Sequence, residues 1–98
     1  MHEGDLPEQY DLLEPEKQSV LCEWIEENFF PIKSFTDSFT SYGLKHIFER
    51  SPNGFYITNG MFKQAMKLCG FKVKNESDTN WVFNISRKSP GLSNPRKK

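Results

Sequence analysis

The sequence predicts an α+β domain of three helices, a short strand and a C-terminal β-hairpin. Three observations lead there. Three stretches carry apolar residues at helical spacing, a strand-forming tripeptide separates the second from the third, and two alternating runs flank a polar turn near the C-terminus. At 98 residues the chain sits at the low end of the single-domain range, and its nine Phe, three Tyr and two Trp supply large apolar area to a small core.

Residues 1–13 mix charge with Gly4 and Pro7 and form a flexible, acidic N-terminal arm, although Leu6, Tyr10, Leu12 and Leu13 can pack. The domain proper covers 14–86. Glu14 and Pro15 start the first helix, because proline is pre-set for a first turn and acids there complement the helix dipole. It runs to about Asn28, with Val20, Leu21, Trp24, Ile25 and Phe29 on one stripe and Glu16, Glu23, Glu26 and Glu27 largely opposite. Pro31 ends it, and 31–40 is a connector that can tuck Ile32, Phe35 and Phe39 underneath.

The second helix spans about 41–50, with Tyr42, Leu44, Ile47 and Phe48 apolar, and Pro52-Asn53-Gly54 is a turn. Phe55-Tyr56-Ile57 reads as a brief edge strand. Thr58 or Asn59 caps the third helix, in which Phe62, Ala65, Met66 and Cys69 recur at i, i+3, i+4 and i+7, and Gly70 ends it in the left-handed conformation. The runs 71–74 and 81–85, joined by a polar turn over 75–80, make the hairpin. Residues 87–98 hold five bases and no acid, and form a disordered basic tail.

Helix, helix, short strand, helix, strand, turn, strand is the element order of the winged helix-turn-helix fold, which the stretch 14–86 resembles. Ser41 to Ser86, with Tyr42-Gly43-Leu44-Lys45-His46, Tyr56-Ile57-Thr58-Asn59-Gly60 and Asn80-Trp81-Val82-Phe83-Asn84-Ile85, also resembles small uncharacterised proteins of Gram-positive phages and mobile elements. The second resemblance implies a bacterial or phage cytoplasmic setting and brings no activity with it.

Helix-turn-helix proteins set their recognition helix in the major groove. Here that is the third helix, whose outward residues Asn59, Lys63, Gln64 and Lys67 are types that read bases or neutralise phosphates. Thr58, with the amides of Asn59 and Gly60, is placed to hold a backbone phosphate. Between Glu49 and Glu76 there is no acid, whereas Arg50, Lys63, Lys67, Lys72 and Lys74 are present; Arg87 and Lys88 extend the cationic set. The expected partner is nucleic acid, DNA rather than RNA, and half-site pairing allows a homodimer. A Lys-Gln-Lys face is also what a solvated helix displays, and the turn 75–80 carries Glu76 and Asp78 where a wing on phosphates should not be acidic.

A second function stays open. Residues 1–29 hold nine acids and one base, 30–98 four acids and twelve bases, so the halves are about −8 and +8. The acidic first helix can act as the docking face of a protein-interaction module, an inhibitor or adaptor acting on a host protein. Other classes fare worse. His46 is the lone histidine in an expected element, no nucleophile, base and orienting group fall into register, and a glycine-rich phosphate loop is missing, so neither enzyme activity nor a cofactor is expected. Cys22, Cys69, His2 and His46 lack zinc-ligand spacing, and the cysteines are expected as reduced thiols. Neither a basic segment leading into an apolar run nor a stretch of about eighteen apolar residues occurs, so a cytoplasmic protein without membrane contact is expected.

Overall fold

Pro15, with Glu14 held extended before it, opens helix α1 (Pro15–Asn28), and Leu21, Ile25 and Phe29 turn fully inward from it. Helix α2 (Ser41–Glu49) buries Leu44 and Phe48, and helix α3 (Asn59–Leu68) buries Phe62, Ala65 and Met66. These are the computed structural model's three α-helices; it describes residues 3–92, so 93–98 of the expected basic tail lie outside it. Helices α2 and α3 stop for local reasons. Ser51 Oγ donates to the Phe48 carbonyl at 2.6 Å after α2. After α3, Gly70 takes φ +98° while its N–H donates to Lys67 O and that of Phe71 donates to Met66 O, both at 3.1 Å, which is the Schellman pattern. At the other end of α3, Thr58 Oγ1 accepts from the Met61 amide at 3.2 Å.

The helices pack through rings set edge to face. Trp24 meets Phe29 and Phe48 with centroids 5.1 and 5.2 Å apart, and Phe48 meets Phe55 at 5.0 Å. Tyr10, Leu13, Ile57, Phe71, Trp81, Phe83 and Ile85 complete the core.

The α+β, winged-helix-like expectation is corrected: the described residues contain three α-helices and three short 3₁₀ helices, at Glu3–Asp5, Pro7–Leu12 and Pro90–Leu92, and no strand, so the domain is all-α. Segment 81–86 is extended, but it meets its neighbours only at isolated pairs, Val73 with Phe83, Thr40 with Val82 and Pro31 with Ile85. The side chain of Asn84 explains why no ladder grows. Its Oδ1 takes the Lys72 N–H at 2.7 Å and its Nδ2 donates to Ile32 O at 2.7 Å, so a side chain stands where main-chain bonds would continue the pairing on both sides. The expected edge strand Phe55-Tyr56-Ile57 fails for a similar reason, since the Ile57 N–H donates to Glu49 Oε2 at 3.1 Å and Tyr56 points outward. The connector, expected to tuck Ile32, Phe35 and Phe39 underneath, flanks 81–86 and buries only part of Phe39 while Ile32 and Phe35 stay exposed: the Thr36 amide donates to Phe83 O and its hydroxyl to Ile85 O.

The N-terminal arm, expected to be flexible, lies along α3. Tyr10 and Leu13 are buried, and Gln18 Nε2 donates to both of their carbonyls, at 3.1 and 3.0 Å. Gly60 permits the docking, because a Cβ there would collide with the Leu6 carbonyl. Residues 87–92 also lie on the body: Ser89 is buried and its Oγ accepts from the Phe30 amide at 2.8 Å.

Two outcomes follow. Gly60→Ala should cost about 1–3 kcal/mol, since backbone and not a flexible side chain meets the new methyl, and should lower the thermal midpoint by several degrees in a calorimetric scan. Glu49 accepts from Lys45, from the Ile57 amide and from His46 when Nδ1 carries the proton; burial raises its pKa, but these donors outweigh that and hold the carboxyl below its ordinary 4.5. A lowered folded pKa stabilises the fold above the unfolded value, and that contribution is lost as pH falls through the folded one. Denaturant titrations below pH 4.5 should therefore show the wild type losing more stability with acid than Glu49→Gln, which is already weakened at pH 7.

Candidate functional site

Two surfaces were expected to carry function, the outer face of the third helix and the acidic face of the first. The structure treats them differently.

The N-terminal half of α3 faces inward. The Oδ1 of Asn59 accepts from Ser41 Oγ at 2.7 Å, and its Nδ2 lies within hydrogen-bond distance of Asp5 Oδ1 (3.0 Å), Thr79 O (3.2 Å) and Asn80 Oδ1 (2.9 Å). Lys63, one turn on, is 0 % exposed. Its ammonium donates to Asp5 O and Thr79 O, both at 2.8 Å, and sits 4.6 Å from the centroid of the Trp81 ring. Burial lowers the Lys63 pKa below the ordinary lysine value, and the charge of Asp5 acts in the opposite direction. Both residues are thus committed to internal contacts, and Thr58 is the N-cap that its position suggested, bonded to Met61.

The remaining predicted residues divide into two groups. Gln64 is half-buried beside Pro7, Glu8 and Asp11 of the arm, and Lys67 pairs with Glu76 at 2.9 Å, so the acidic turn lies against α3. Lys72, Lys74, Arg87 and Lys88 are exposed. Lys74 pairs with Asp37 at 2.8 Å and Arg87 Nη2 donates to Ser38 Oγ at 3.0 Å, which brings two of the cations to adjacent residues of the connector.

On α1 the broad apolar stripe splits. Leu21, Ile25 and Phe29 supply the core, whereas Val20 is 38 % exposed and Trp24 is half-buried. Val20 and Trp24 line a groove of about 460 Å³ between α1 and the segment holding Asn53 and Phe55. Glu16, Glu23 and Glu27 line it too, spaced at i, i+7 and i+11 so that they form one row along about 16 Å of helix. Its lone base is Lys17, whose ammonium stands 5.3 Å from the centre of the Phe55 ring. The groove thus pairs an apolar floor, held by Trp24 packing on Phe29 and Phe48 and by Phe55 packing on Phe48, with a row of three carboxylates. Sequence reasoning picked out these glutamates and missed Val20, Trp24 and Phe55 as a surface. The available signal was a stripe of five large apolar residues on a 14-residue helix, wider than one packing seam requires.

Chemistry elsewhere is subdued. Burial raises the Cys69 pKa, with the Cys22 thiol and Glu26 adding to the effect, so this thiol stays protonated at neutral pH. Both cysteines are free and half-buried, and Cys69 Sγ lies 3.8 Å from the Cys22 carbonyl. Among the described residues no three His, Cys, Asp or Glu side chains converge as metal ligands, and no helix is long and apolar enough to cross a membrane. Compared with known proteins, the chain matches no family model, no curated protein and no solved structure.

Asn59→Ala leaves the buried Ser41 hydroxyl without its acceptor and Lys63→Met leaves the Asp5 carbonyl without its donor, so each should destabilise the domain by about 1–3 kcal/mol. Chemical denaturation checks this; losses within 0.5 kcal/mol, the range of ordinary surface substitutions, would show that these side chains do not hold the fold.

Proposed function

We propose that this domain is a docking module without catalytic activity of its own, which engages a basic segment of a partner protein through the acidic groove on α1. The observation that carries this reading is the groove itself: apolar side chains left uncovered by the fold, fixed from behind by core rings and bordered by three carboxylates at helical spacing. A helix or extended segment with apolar anchors and flanking Lys or Arg fits both features, since apolar contact gives affinity while complementary charge orients the approach. The face lies in the acidic part of the chain, where residues 1–29 hold nine acids and one base.

Nucleic-acid binding is the second reading. What favours it is the exposure of Lys72, Arg87 and Lys88; Lys74, also exposed, is paired with Asp37. It draws little from α3, where Asn59 and Lys63 are buried and Lys67 is paired.

Titration of isotopically labelled protein with an amphipathic Arg- and Lys-rich peptide of about fifteen residues, and separately with a short duplex and a single-stranded oligonucleotide, discriminates the readings. Docking predicts peptide-induced NMR shifts centred on Val20, Trp24 and Phe55, an affinity that falls with salt, and at least a roughly tenfold loss in Glu23→Lys with Glu27→Lys. Shifts at Lys72, Lys74, Arg87 and Lys88 with the oligonucleotides, and none with the peptide, would reverse the assignment.

A further inference from the structure

Resting on the docking reading, we infer that the groove is a receptor for an arginine side chain, which stacks on Phe55 and forks onto the glutamate row, and that Lys17 occupies this position while the groove is empty. Lys17 is the one base among the groove's lining residues, and its ammonium stands 5.3 Å from the Phe55 centroid, within the range at which a cation is attracted to a ring face. The ring is not free to follow it: Phe55 packs at 89° on Phe48, which is itself wholly buried. A cation is therefore already seated where an incoming one would go, supplied by α1 from the same helix as the carboxylates that would receive it.

The chemistry of the walls selects arginine over lysine. A guanidinium is planar and weakly hydrated, lies flat on an aromatic ring, and presents paired N–H donors to a carboxylate; an ammonium is a compact, strongly hydrated point charge that loses more water on the same ring. The groove's lining supplies aromatic surface from Phe55 and Trp24 and carboxylates from Glu16, Glu23 and Glu27, the two kinds of group that a guanidinium engages. Lys17 satisfies only the ring contact. Its displacement exchanges a weaker cation–ring contact for a stacked and forked one, and leaves the lysine, on an exposed helix position, to return to water.

The test uses the full chain and two peptide probes, identical amphipathic sequences of about fifteen residues in which every basic position is arginine in one and lysine in the other. The wild type should bind the arginine peptide roughly three- to tenfold more tightly. Lys17→Gln should tighten arginine-peptide binding about threefold or more, because the position is vacated, and Lys17→Arg should weaken it by a similar factor, because a better-stacking resident keeps the same net charge. The charge-conserving variant separates occupancy from long-range electrostatics, which predicts no change for Lys17→Arg. Equal affinity for the two peptides, or an unchanged Kd in Lys17→Arg, overturns the arginine assignment while leaving the docking reading in place. Failure of both peptides to shift Val20, Trp24 or Phe55 overturns the docking reading and this inference with it.

Discussion

The beginning of α3 is pinned by a buried polar junction on which the rest of the domain depends. The Trp81 amide donates to Ser41 Oγ at 3.0 Å, the Ser41 hydroxyl donates in turn to Asn59 Oδ1, and Asn59 Nδ2 faces three acceptors with two protons to share. Lys63 then fills the remaining demand at Asp5 and Thr79. Four segments distant along the chain meet here: the arm, the first turn of α2, the first turn of α3 and the turn before Trp81. Among the described residues no buried side-chain nitrogen or oxygen lacks a hydrogen-bond partner. That completeness matters more than the number of bonds, since each contributes modestly when made and costs much more when one partner is missing.

This junction also decides which surface is free to act. Residues that look like nucleic-acid readers are drawn into the interior, because a helix start presents N–H groups and short polar side chains where the arm and the 79–81 segment can satisfy them. Burying the Lys63 ammonium is tolerable because two carbonyls and the Trp81 ring replace its water. On α1 the core fully buries Leu21, Ile25 and Phe29 and leaves Val20 and part of Trp24 uncovered. The acidic row and the apolar floor meet on this helix because Val20, and the part of Trp24 not packed on Phe29 and Phe48, stay uncovered beside the glutamates.

Much of the helical framework was legible. Pro15, Thr58 and Gly70 mark helix ends through preferences that act within about four residues, and they stand at or beside observed boundaries. The hairpin was not legible, although 71–74 and 81–85 alternate as a pair of strands should. Asn84 offers no local hint that its side chain will intercept main-chain partners on both flanks, and that interception is what reduces the expected sheet to single pairs. Glu49 likewise looks like a solvated helix residue until the chain returns and presents the Ile57 amide to it.

The sequence alone determined three helices, their inward stripes and the acidic character of α1, because periodicity and capping are properties of neighbouring residues. Only the tertiary structure decided that the fold is all-α, that Asn59 and Lys63 belong to the interior, and that a groove opens between α1 and Phe55. The physical reason is range: Asn59 finds Ser41 18 residues away, Asn80 21 away and Asp5 54 away. Whether a polar side chain meets water or a buried partner is settled by such contacts, which no window of local pattern contains.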